Sequence, residues 1–398
     1  MKDILKQCAA TEINQKWNKM IQRKEKLYSR NNIRSEFERD YTRIIHSNAY
    51  RRLKHKTQVF FSPESDHICT RIEHVAHVES ISYTIAKYLG LNTELTRAIA
   101  ISHDIGHSPF GHQGEKILSK ISEKDIGEKF WHERNGLEYV EKIELLEDNY
   151  NNMQNLNLTY AVRDGIISHC GEIDENSLKP RDNAIELKEY TYPNQYAPYT
   201  WEGCVVKIAD KISYLGRDIK DAISLGILDE HLDELYKLLK YSKNEVINNT
   251  VIINNLIYDL CENSSPEKGL RFSDEMFDQI NKIKNFNYKY IYLSERLQPS
   301  TQYFELIINQ IYKTLKEIYE SKNIIEKIEE MKKFYPKLMN SFESWIKSYW
   351  NLEREDKYKN EVILNIYDEK EYYKAIIYYI SGMTDKYAIE IYNEIIGF

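Results

Sequence analysis

The sequence has few residues that interrupt helices, with only 8 prolines and 14 glycines among 398 residues. Because proline lacks the backbone donor of a helix interior and glycine destabilises one, this scarcity favours a mostly helical protein. The chain also contains no apolar run long enough to cross a bilayer, and its first residues, MKDILKQCAATEINQKWNKM, include no apolar signal region. We therefore expect an all-α protein in the cytoplasm, with no membrane partner.

Cysteine is scarce as well, and no pair has the C-x-x-C spacing. The five cysteines are scattered along the chain: Cys8, Cys69, Cys170, Cys204 and Cys261. This distribution predicts a reducing compartment and argues against a disulfide framework or a cysteine zinc site. Positive charge is not in excess either, since the formal net charge is -7. A protein that coats nucleic acid is thereby disfavoured, although a local basic patch stays open.

Helical spacing of apolar residues is clear in the segment that follows residue 70. The apolar stripe consists of Ile72, Val75, Ile81, Ile85, Ala86 and Leu89. Gly90 closes this helix, and Thr93 is the predicted N-cap of the next one. The composition, 42% hydrophobic and 29% charged, is that of a globular protein with enough chain to bury a core.

A segment dense in arginine and lysine covers residues 33–60. Its apolar residues also recur at helical spacing, which predicts an amphipathic helix with a solvated basic face. A second interpretation concerns residues 39–56, where Tyr41 and Tyr50 stand among the charges. Such a stretch can follow the phosphate backbone of a nucleic-acid single strand.

Histidines and carboxylates concentrate in the stretch SHDIGHSPFGHQGE, residues 102–115. Adjacent His103 and Asp104 suit a hydrophobic core poorly, but they suit a divalent cation if the chain bends there. The alternative is a set of structural histidines and helix-end carboxylates. A phosphate-binding P-loop is excluded, because His112 and Gln113 follow the second glycine where Lys and Ser or Thr are required.

Six blocks together resemble the deoxyguanosine triphosphate triphosphohydrolase branch of the HD superfamily of metal-dependent phosphohydrolases. They are RDYTRIIHSNAYRRLKHKTQVF, TRIEH, AISHDIGHSPFGHQGE, LTYAVRDGI, KIADKISYLGRDIKDAI and SGMTDKYA. The blocks run in the family's order from about residue 34 to the C-terminus. The resemblance implies an all-α HD-domain helical core with an additional C-terminal helical region. It implies three parts: an N-terminal helical extension (1–32), the HD core (33–230) and the C-terminal helical region (231–398).

The resemblance also assigns a metal site and a catalytic group. The four implied metal ligands are His74, His103, Asp104 and Asp210. The cation is expected to be Mn²⁺ or Mg²⁺, with Fe²⁺ and Co²⁺ as alternatives, because His and Asp sites accept several of these ions. The implied catalytic residues are His112, Glu115 and His132. His112 and Glu115 are three residues apart, so they share one face of a predicted helix.

Five further positions match substrate contacts of the family. Arg71 and Lys211 correspond to phosphate contacts, and a guanidinium suits a developing oxyanion. Tyr214 corresponds to a contact with the C2′ face of the sugar, whereas Asp218 and Gln58 correspond to other sugar contacts. The alternative for each is ordinary: surface Arg and Lys, a core Tyr, and an Asp on a helix face.

The expected function is therefore metal-dependent hydrolysis of deoxynucleoside triphosphates at the α-phosphate, with dGTP and other dNTPs as candidate substrates. The products would be the deoxynucleoside and tripolyphosphate. The resemblance further implies a homo-oligomer, a tetramer or a hexamer, with a nucleotide as effector, and the basic segment 39–56 leaves single-stranded DNA open as another effector. Two other functions stay open: a general HD phosphohydrolase, which releases orthophosphate or a nucleotide, and a non-catalytic nucleotide or single-strand sensor with the same fold.

Overall fold

The computed structural model describes residues 3–26, 33–61, 68–169, 175–242, 247–319 and 323–397. These residues confirm the predicted all-α class. Two short antiparallel strands, β1 (Leu145–Glu147) and β2 (Met153–Asn155), form the single sheet of the described ranges. Leu145 lies opposite Asn155 in this pair. Within the same ranges, we find no helix with the length and apolar character that crossing a membrane requires.

Helices account for most of the remaining chain. In the first half they are α1 (Trp17–Met20), α2 (Glu36–His46), α3 (Asn48–Arg52), α4 (Arg71–Leu89), α5 (Thr93–Ser102), α6 (Gly111–Asp125), α7 (His132–Glu138), α8 (Tyr160–Ser168) and α9 (Trp201–Ser224). In the second half they are α10 (Leu232–Leu238), α11 (Asn249–Asn263), α12 (Asp274–Asn287), α13 (Gln298–Tyr319), α14 (Ile324–Met331), α15 (Pro336–Ile346), α16 (Glu369–Ser381) and α17 (Asp385–Ile396).

The chain divides into two compact units, each built from separate stretches of sequence. The first unit comprises Met1–Thr42, Ser62–His103 and Leu158–Pro299. The second unit comprises Arg43–Phe61, Asp104–Asn157 and Ser300–Phe398. The expected division of the sequence after residues 32 and 230 stays a prediction.

The core of the first unit surrounds the 24-residue helix α9. This helix packs against α4, α5 and α8 on one side and against α11 and α12 on the other. Its buried apolar residues include Val205, Val206, Ile208, Ile212 and Leu215. Because several helices pack against it, α9 is buried over most of its length, and its buried residues include charged ones such as Lys211 and Asp218.

Helix α4 follows the predicted pattern closely. Its start is fixed by the backbone N–H of Thr70, which donates to Oε2 of Glu73 over 2.7 Å. Its end is fixed by Gly90, whose φ of 81° is unfavourable for residues with a Cβ. The predicted stripe is buried except at Ile72, which is half-buried.

The prediction that Thr93 caps the next helix is wrong by one residue. The N-cap of α5 is Asn92, whose Oδ1 accepts hydrogen bonds from the backbone N–H groups of Glu94 and Leu95 over 3.0 and 3.1 Å. Thr93 is the first helical residue. Asparagine and threonine both cap helices, and asparagine does so more often, so the adjacent pair made the choice ambiguous.

The second unit explains much of the tyrosine content of the chain. Helix α16 buries Tyr372, Tyr373, Tyr378 and Tyr379 along its length. Their hydroxyls bond to oxygens in the same unit; for example, Tyr372 donates to the carbonyl of Leu315 over 2.9 Å. A buried tyrosine contributes a large apolar ring and satisfies its polar end in this way.

The basic segment does not form one continuous amphipathic helix. It breaks at Ser47, whose Oγ accepts the backbone N–H of Tyr50 over 3.2 Å and caps α3. Two of its cations bind groups of the second unit: Arg43 donates to the carbonyl of Leu156 over 2.6 Å, and Arg52 lies 2.6 Å from Glu144. Part of the local positive charge therefore stabilises the fold.

Candidate active site

Three of the predicted metal ligands meet in the first unit, at the junction of three helices. His74 lies on α4, Asp210 lies on α9, and His103 is the residue that ends α5. We call these three residues the first cluster. Because α4, α5 and α9 pack directly against one another, the side chains converge although they are far apart in sequence.

The distances within the first cluster are short. Nε2 of His74 lies 2.9 Å from Oδ1 of Asp210, and Nε2 of His103 lies 3.8 Å from the same oxygen. The ligand atoms of all three residues lie within 4.8 Å of one another. Both histidines are buried, whereas Asp210 is half-buried. Two imidazole nitrogens and a carboxylate oxygen thus point at a common centre.

The other nitrogens of the two rings determine which atom faces that centre. Nδ1 of His103 donates to the backbone carbonyl of Ala100 over 2.6 Å, which leaves Nε2 as the lone-pair nitrogen of the neutral ring. Nδ1 of His74 lies 3.5 Å from Oγ of Ser213. Histidines that bind metal in proteins are commonly oriented by such a bond at the second nitrogen. The donor set therefore fits a divalent transition metal or Mg²⁺.

A further histidine, His169, stands beside the first cluster and was not predicted. Its ring lies 5.0 Å from that of His103, edge to face at 77°. Like His103, it ends a helix, and its Nδ1 donates to the carbonyl three residues earlier, that of Ile166, over 2.7 Å. A histidine at the end of a predicted helix was the only available signal for it in the sequence.

Asp218 lies on α9 two turns after Asp210 and is fully buried. Its Oδ2 accepts a hydrogen bond from the hydroxyl of Tyr292 over 2.5 Å. Burial raises the pKa of Asp218 to about 7, and the hydrogen bond from Tyr292 counteracts part of that rise. Tyr292 was not predicted, because the two residues are 74 positions apart and no motif connects them.

The predicted phosphate contacts of the first unit are not surface residues. Arg71 is 1% exposed and Lys211 is 7% exposed. Tyr214, the predicted sugar contact on the same helix as Lys211, is half-buried. Burying a cation costs free energy unless anionic or hydrogen-bonding groups compensate for it. The ordinary alternative for Arg71 and Lys211, a solvated surface charge, is therefore wrong.

The middle stretch of the second unit begins at Asp104, and the chain there comes so close to its neighbours that glycine is required at two positions. A Cβ at Gly106 would approach the carbonyl oxygen of His132 to 2.1 Å, and one at Gly114 would approach that of Pro109 to 1.9 Å. Phe110 has a φ of 62° in the left-handed region. The glycines and the turn bring α6 close to α7.

Four residues of this unit, His107, His112, Glu115 and His132, form what we call the second cluster. Oε2 of Glu115 accepts from Nδ1 of His132 over 3.0 Å and lies 3.4 Å from Nδ1 of His112. The backbone N–H of His132 also donates to Glu115, over 3.1 Å. The ring of His107 stacks on that of His132 with centroids 3.8 Å apart.

Charge and exposure differ strongly within the second cluster. Burial raises the pKa of Glu115, but the nearby His132 and His112 outweigh burial and hold it well below its ordinary value. Glu115 is thus a carboxylate at neutral pH. His132 is buried, whereas the side chain of His112 is 61% exposed. An exposed imidazole held by a half-buried carboxylate can exchange protons with a bound molecule.

The structure thus groups the predicted site residues unit by unit. In the first unit it brings His74, His103 and Asp210 together, and in the second His112, Glu115 and His132. Asp104 belongs to the second unit, where its Oδ1 lies 3.0 Å from Nε2 of His107. Gln58 is buried in the second unit. The functional roles of all these residues stay predictions.

Comparisons with known proteins show the family to which the chain is similar. The model of the HD domain family matches residues 71–215. The deoxyguanosinetriphosphate triphosphohydrolase-like protein of Caldanaerobacter subterraneus subsp. tengcongensis is 32% identical over 369 residues, which cover 91% of this chain and 85% of that protein. A protein of the same name from Desulfatibacillum aliphaticivorans is 38% identical over 65% of this chain and 67% of its own length. One from Rickettsia prowazekii is 31% identical over 91% and 92%.

Proposed function

Because the chain belongs to the family of deoxyguanosinetriphosphate triphosphohydrolase-like proteins, we propose that it hydrolyses deoxynucleoside triphosphates at the α-phosphate. The products are a deoxynucleoside and intact tripolyphosphate. The observation that carries the proposal is the presence of two distinct clusters in one chain. The ligand atoms of each cluster lie close enough together to hold a metal ion. The first cluster combines two histidines with an aspartate, and in the second a glutamate lies between two histidines.

The residues that would hold the metal are His74, His103 and Asp210, with Asp104 as the fourth ligand. A bound divalent cation would polarise the phosphorus centre and lower the pKa of a coordinated water. Mn²⁺ and Mg²⁺ are the first candidates, and Fe²⁺ and Co²⁺ are the alternatives, since His and Asp donors bind all of them.

The second cluster supplies the proton that the leaving oxygen requires. Glu115 holds Nδ1–H of His112, so Nε2 is the atom of that ring that gives up and takes back the proton. His132 donates to the same carboxylate and keeps it ionised and in place. This arrangement separates proton transfer from metal binding, because the two tasks use different side chains.

The remaining matched residues bind the substrate. Arg71 and Lys211 are buried cations that would neutralise phosphate oxygens. Tyr214 would lie against the C2′ face of the sugar, where it disfavours a ribonucleotide. Asp218 and Gln58 would accept and donate hydrogen bonds to the sugar. We further propose a homo-oligomer with a nucleotide effector, as the family resemblance implies, or with single-stranded DNA as the effector.

A product assay tests this function directly. The purified protein is incubated with each dNTP and each rNTP in the presence of Mn²⁺, Mg²⁺, Fe²⁺ or Co²⁺, and ³¹P NMR identifies the phosphate products. We expect tripolyphosphate from dNTPs and none from rNTPs. H112Q should abolish most of the product, whereas H231Q, a histidine outside both clusters, should behave like the wild type.

Other product patterns distinguish the alternative functions. Orthophosphate or a nucleoside monophosphate as the initial product would contradict the proposal and identify a general HD phosphohydrolase. An absence of turnover with single nucleotides is followed by the same assay with mixed dNTPs and with single-stranded DNA. Turnover in the mixture would identify an activator, whereas continued inactivity together with nucleotide binding would identify a sensor.

A further inference from the structure

The C-terminal segment SGMTDKYA, residues 381–388, has no role in the proposed function, yet it binds the turn that leads into α6. Asp385 is the central residue of this contact. Its Oδ1 accepts the backbone N–H of Phe110 over 2.8 Å. Its Oδ2 accepts the backbone N–H of Thr57 over 2.8 Å and also the Thr57 hydroxyl. Asp385 is buried, so it binds these three donors away from bulk water.

A buried lysine makes a second connection between the same parts of the second unit. Nζ of Lys56 donates to the backbone carbonyl of Ser381 over 2.8 Å and to that of His107. Lys56 is 3% exposed. Its ammonium group therefore connects the end of α16 to the carbonyl of His107, the residue whose ring stacks on that of His132.

Asn135 adds a third connection. Its Nδ2 donates to the carbonyl of Gly106 over 2.7 Å and lies 3.2 Å from Oγ of Ser381. The turn at residues 106–110 is thus held at three backbone groups, the carbonyls of Gly106 and His107 and the N–H of Phe110. The three groups are bonded by side chains of the same unit, those of Asn135, Lys56 and Asp385.

The conformation of the turn explains why it needs such support. Phe110 has a φ of 62°, which is unfavourable for a residue with a Cβ and persists only where the surroundings hold it. Phe110 is also the residue directly before α6. His112 and Glu115 lie in the first two turns of that helix, so a change at Phe110 changes where both side chains point.

We infer that Asp385 and Lys56 are positioning residues that hold the 106–110 turn and thereby fix His107, His112 and Glu115 for proton transfer. The inference rests on the proposed function, since it assigns these residues to the acid–base cluster of that reaction. The competing explanation is that Asp385 and Lys56 only stabilise the fold. The two explanations differ in what the loss of Asp385 does once His112 is already absent.

The test compares D385N and K56M with two control variants of the same unit. D368N makes the same change at the exposed N-cap of α16, where asparagine also caps. Y372F removes one buried hydrogen bond, to the Leu315 carbonyl, far from the turn in sequence. Y372F therefore reports what a loss of stability alone does to activity.

We expect D385N and K56M to lower kcat about 10- to 100-fold, because small displacements of catalytic groups have effects of that size. KM for the dNTP should change less than about threefold, because the substrate contacts are retained. In the H112Q background, D385N should lower kcat by less than about threefold, since residues that act through one group are not additive. D368N and Y372F should retain wild-type kcat.

A readout without turnover keeps the inference separate from the proposed function. Side-chain ¹H–¹⁵N spectra of the histidines, assigned with H112Q, H132Q and H231Q, should show shifts of His112 and His132 in D385N, whereas His231 stays in place. Unchanged histidine signals, or an equal loss of kcat with and without His112, would overturn the positioning role. If the wild type releases no tripolyphosphate, the proposed function fails, but the histidine spectra still decide this inference.

Discussion

The two histidine clusters use the same residue types, but they differ in how each ring is held. In the first cluster, Nδ1 of His103 is bonded to a backbone carbonyl and Nε2 faces the carboxylate of Asp210. In the second cluster, Nδ1 of both His112 and His132 faces the carboxylate of Glu115. The two clusters therefore differ in the partner of each ring nitrogen: the arrangement at His103 is the one expected of a metal ligand, and that at His112 is the one expected of a proton-transfer group.

Exposure separates His112 from the other histidines of both clusters. His103 is fully buried, which suits its proposed role as a ligand whose ring keeps one orientation. His112 is mostly exposed, which suits its proposed role as a group that meets a substrate and returns a proton to solvent. The contrast teaches that one short stretch of sequence, residues 102–115, contributes to two chemically different sites. Four predictions test it.

The largest effect is expected from the loss of a metal ligand. H103Q removes an imidazole nitrogen from the first cluster, and an amide is a much weaker ligand for a divalent transition metal. We expect Mn²⁺ affinity to fall more than about 100-fold and kcat to fall below about one thousandth of the wild-type value. Isothermal titration with Mn²⁺ and the product assay measure the two quantities.

The control for H103Q is E115Q, which changes a carboxylate of the second cluster. Metal affinity should stay within about threefold of the wild type in E115Q, because that residue is not part of the first donor set. Equal losses of Mn²⁺ affinity in H103Q and E115Q would contradict the division into two sites. They would indicate instead that both clusters bind the cation.

The next effect concerns proton transfer. H112Q keeps a polar side chain but removes the imidazole that is proposed to give up and take back the proton. General acid–base catalysis contributes about 10²- to 10⁴-fold, and we expect kcat to fall by that amount with metal affinity unchanged. A leaving group of lower pKa on the substrate should restore part of the loss. If H112Q and the wild type respond equally to the leaving group, His112 does not deliver the proton.

Much of the fold and part of the candidate site could be predicted from local sequence. Helical spacing identified α4, and the i, i+3 spacing placed His112 and Glu115 on one helix face. These predictions succeed because each depends on residues within a few positions of one another. The error at the cap of α5 concerns a single residue, where two good caps are adjacent.

Contacts between distant segments could not be predicted in the same way. His74 and Asp210 were grouped only through the family resemblance, since no local pattern connects α4 with α9. The hydrogen bond between Phe110 and Asp385 joins residues 275 positions apart. The neighbours of Tyr292, His169 and Asp385 come from distant segments that pack together in the fold. The spacing of residues in a single sequence does not indicate such contacts.

A smaller effect is expected on stability, and its pH dependence has a definite sign. The folded-state pKa of Glu115 lies well below its ordinary value of 4.5, owing to His132 and His112 despite burial. Ionised Glu115 therefore stabilises the folded protein above pH 4.5. That contribution is lost as the pH falls from 4.5 through the folded-state pKa. E115Q lacks the contribution at every pH.

The measurement is the difference in Tm between the wild type and E115Q across pH. The difference should have its full size at pH 5.5, where Glu115 is ionised in both the folded and the unfolded protein. It should narrow below pH 4.5. A difference that is constant from pH 6 to pH 4 would show that Glu115 does not interact with charged histidines. E123Q, an exposed position on the same helix, serves as control.

The smallest effect is expected at the sugar contact, in the first unit beside the metal-type cluster. The hydroxyl of Tyr292 donates to Asp218 and lowers its pKa, which burial otherwise raises. Y292F removes that donor, so the pKa of Asp218 should rise above its value of about 7. At pH 7 a larger share of Asp218 is then protonated and accepts hydrogen bonds poorly. We expect KM for dNTPs to rise a few-fold at pH 7, roughly the effect of one modest hydrogen bond, with kcat unchanged.

The increase in KM should disappear at pH 9, where the carboxyl group of Asp218 is ionised in both proteins. An increase of the same size at both pH values would mean that Tyr292 contacts the substrate itself, and Y290F, a neighbouring tyrosine that bonds to Glu234 instead, provides the matched control.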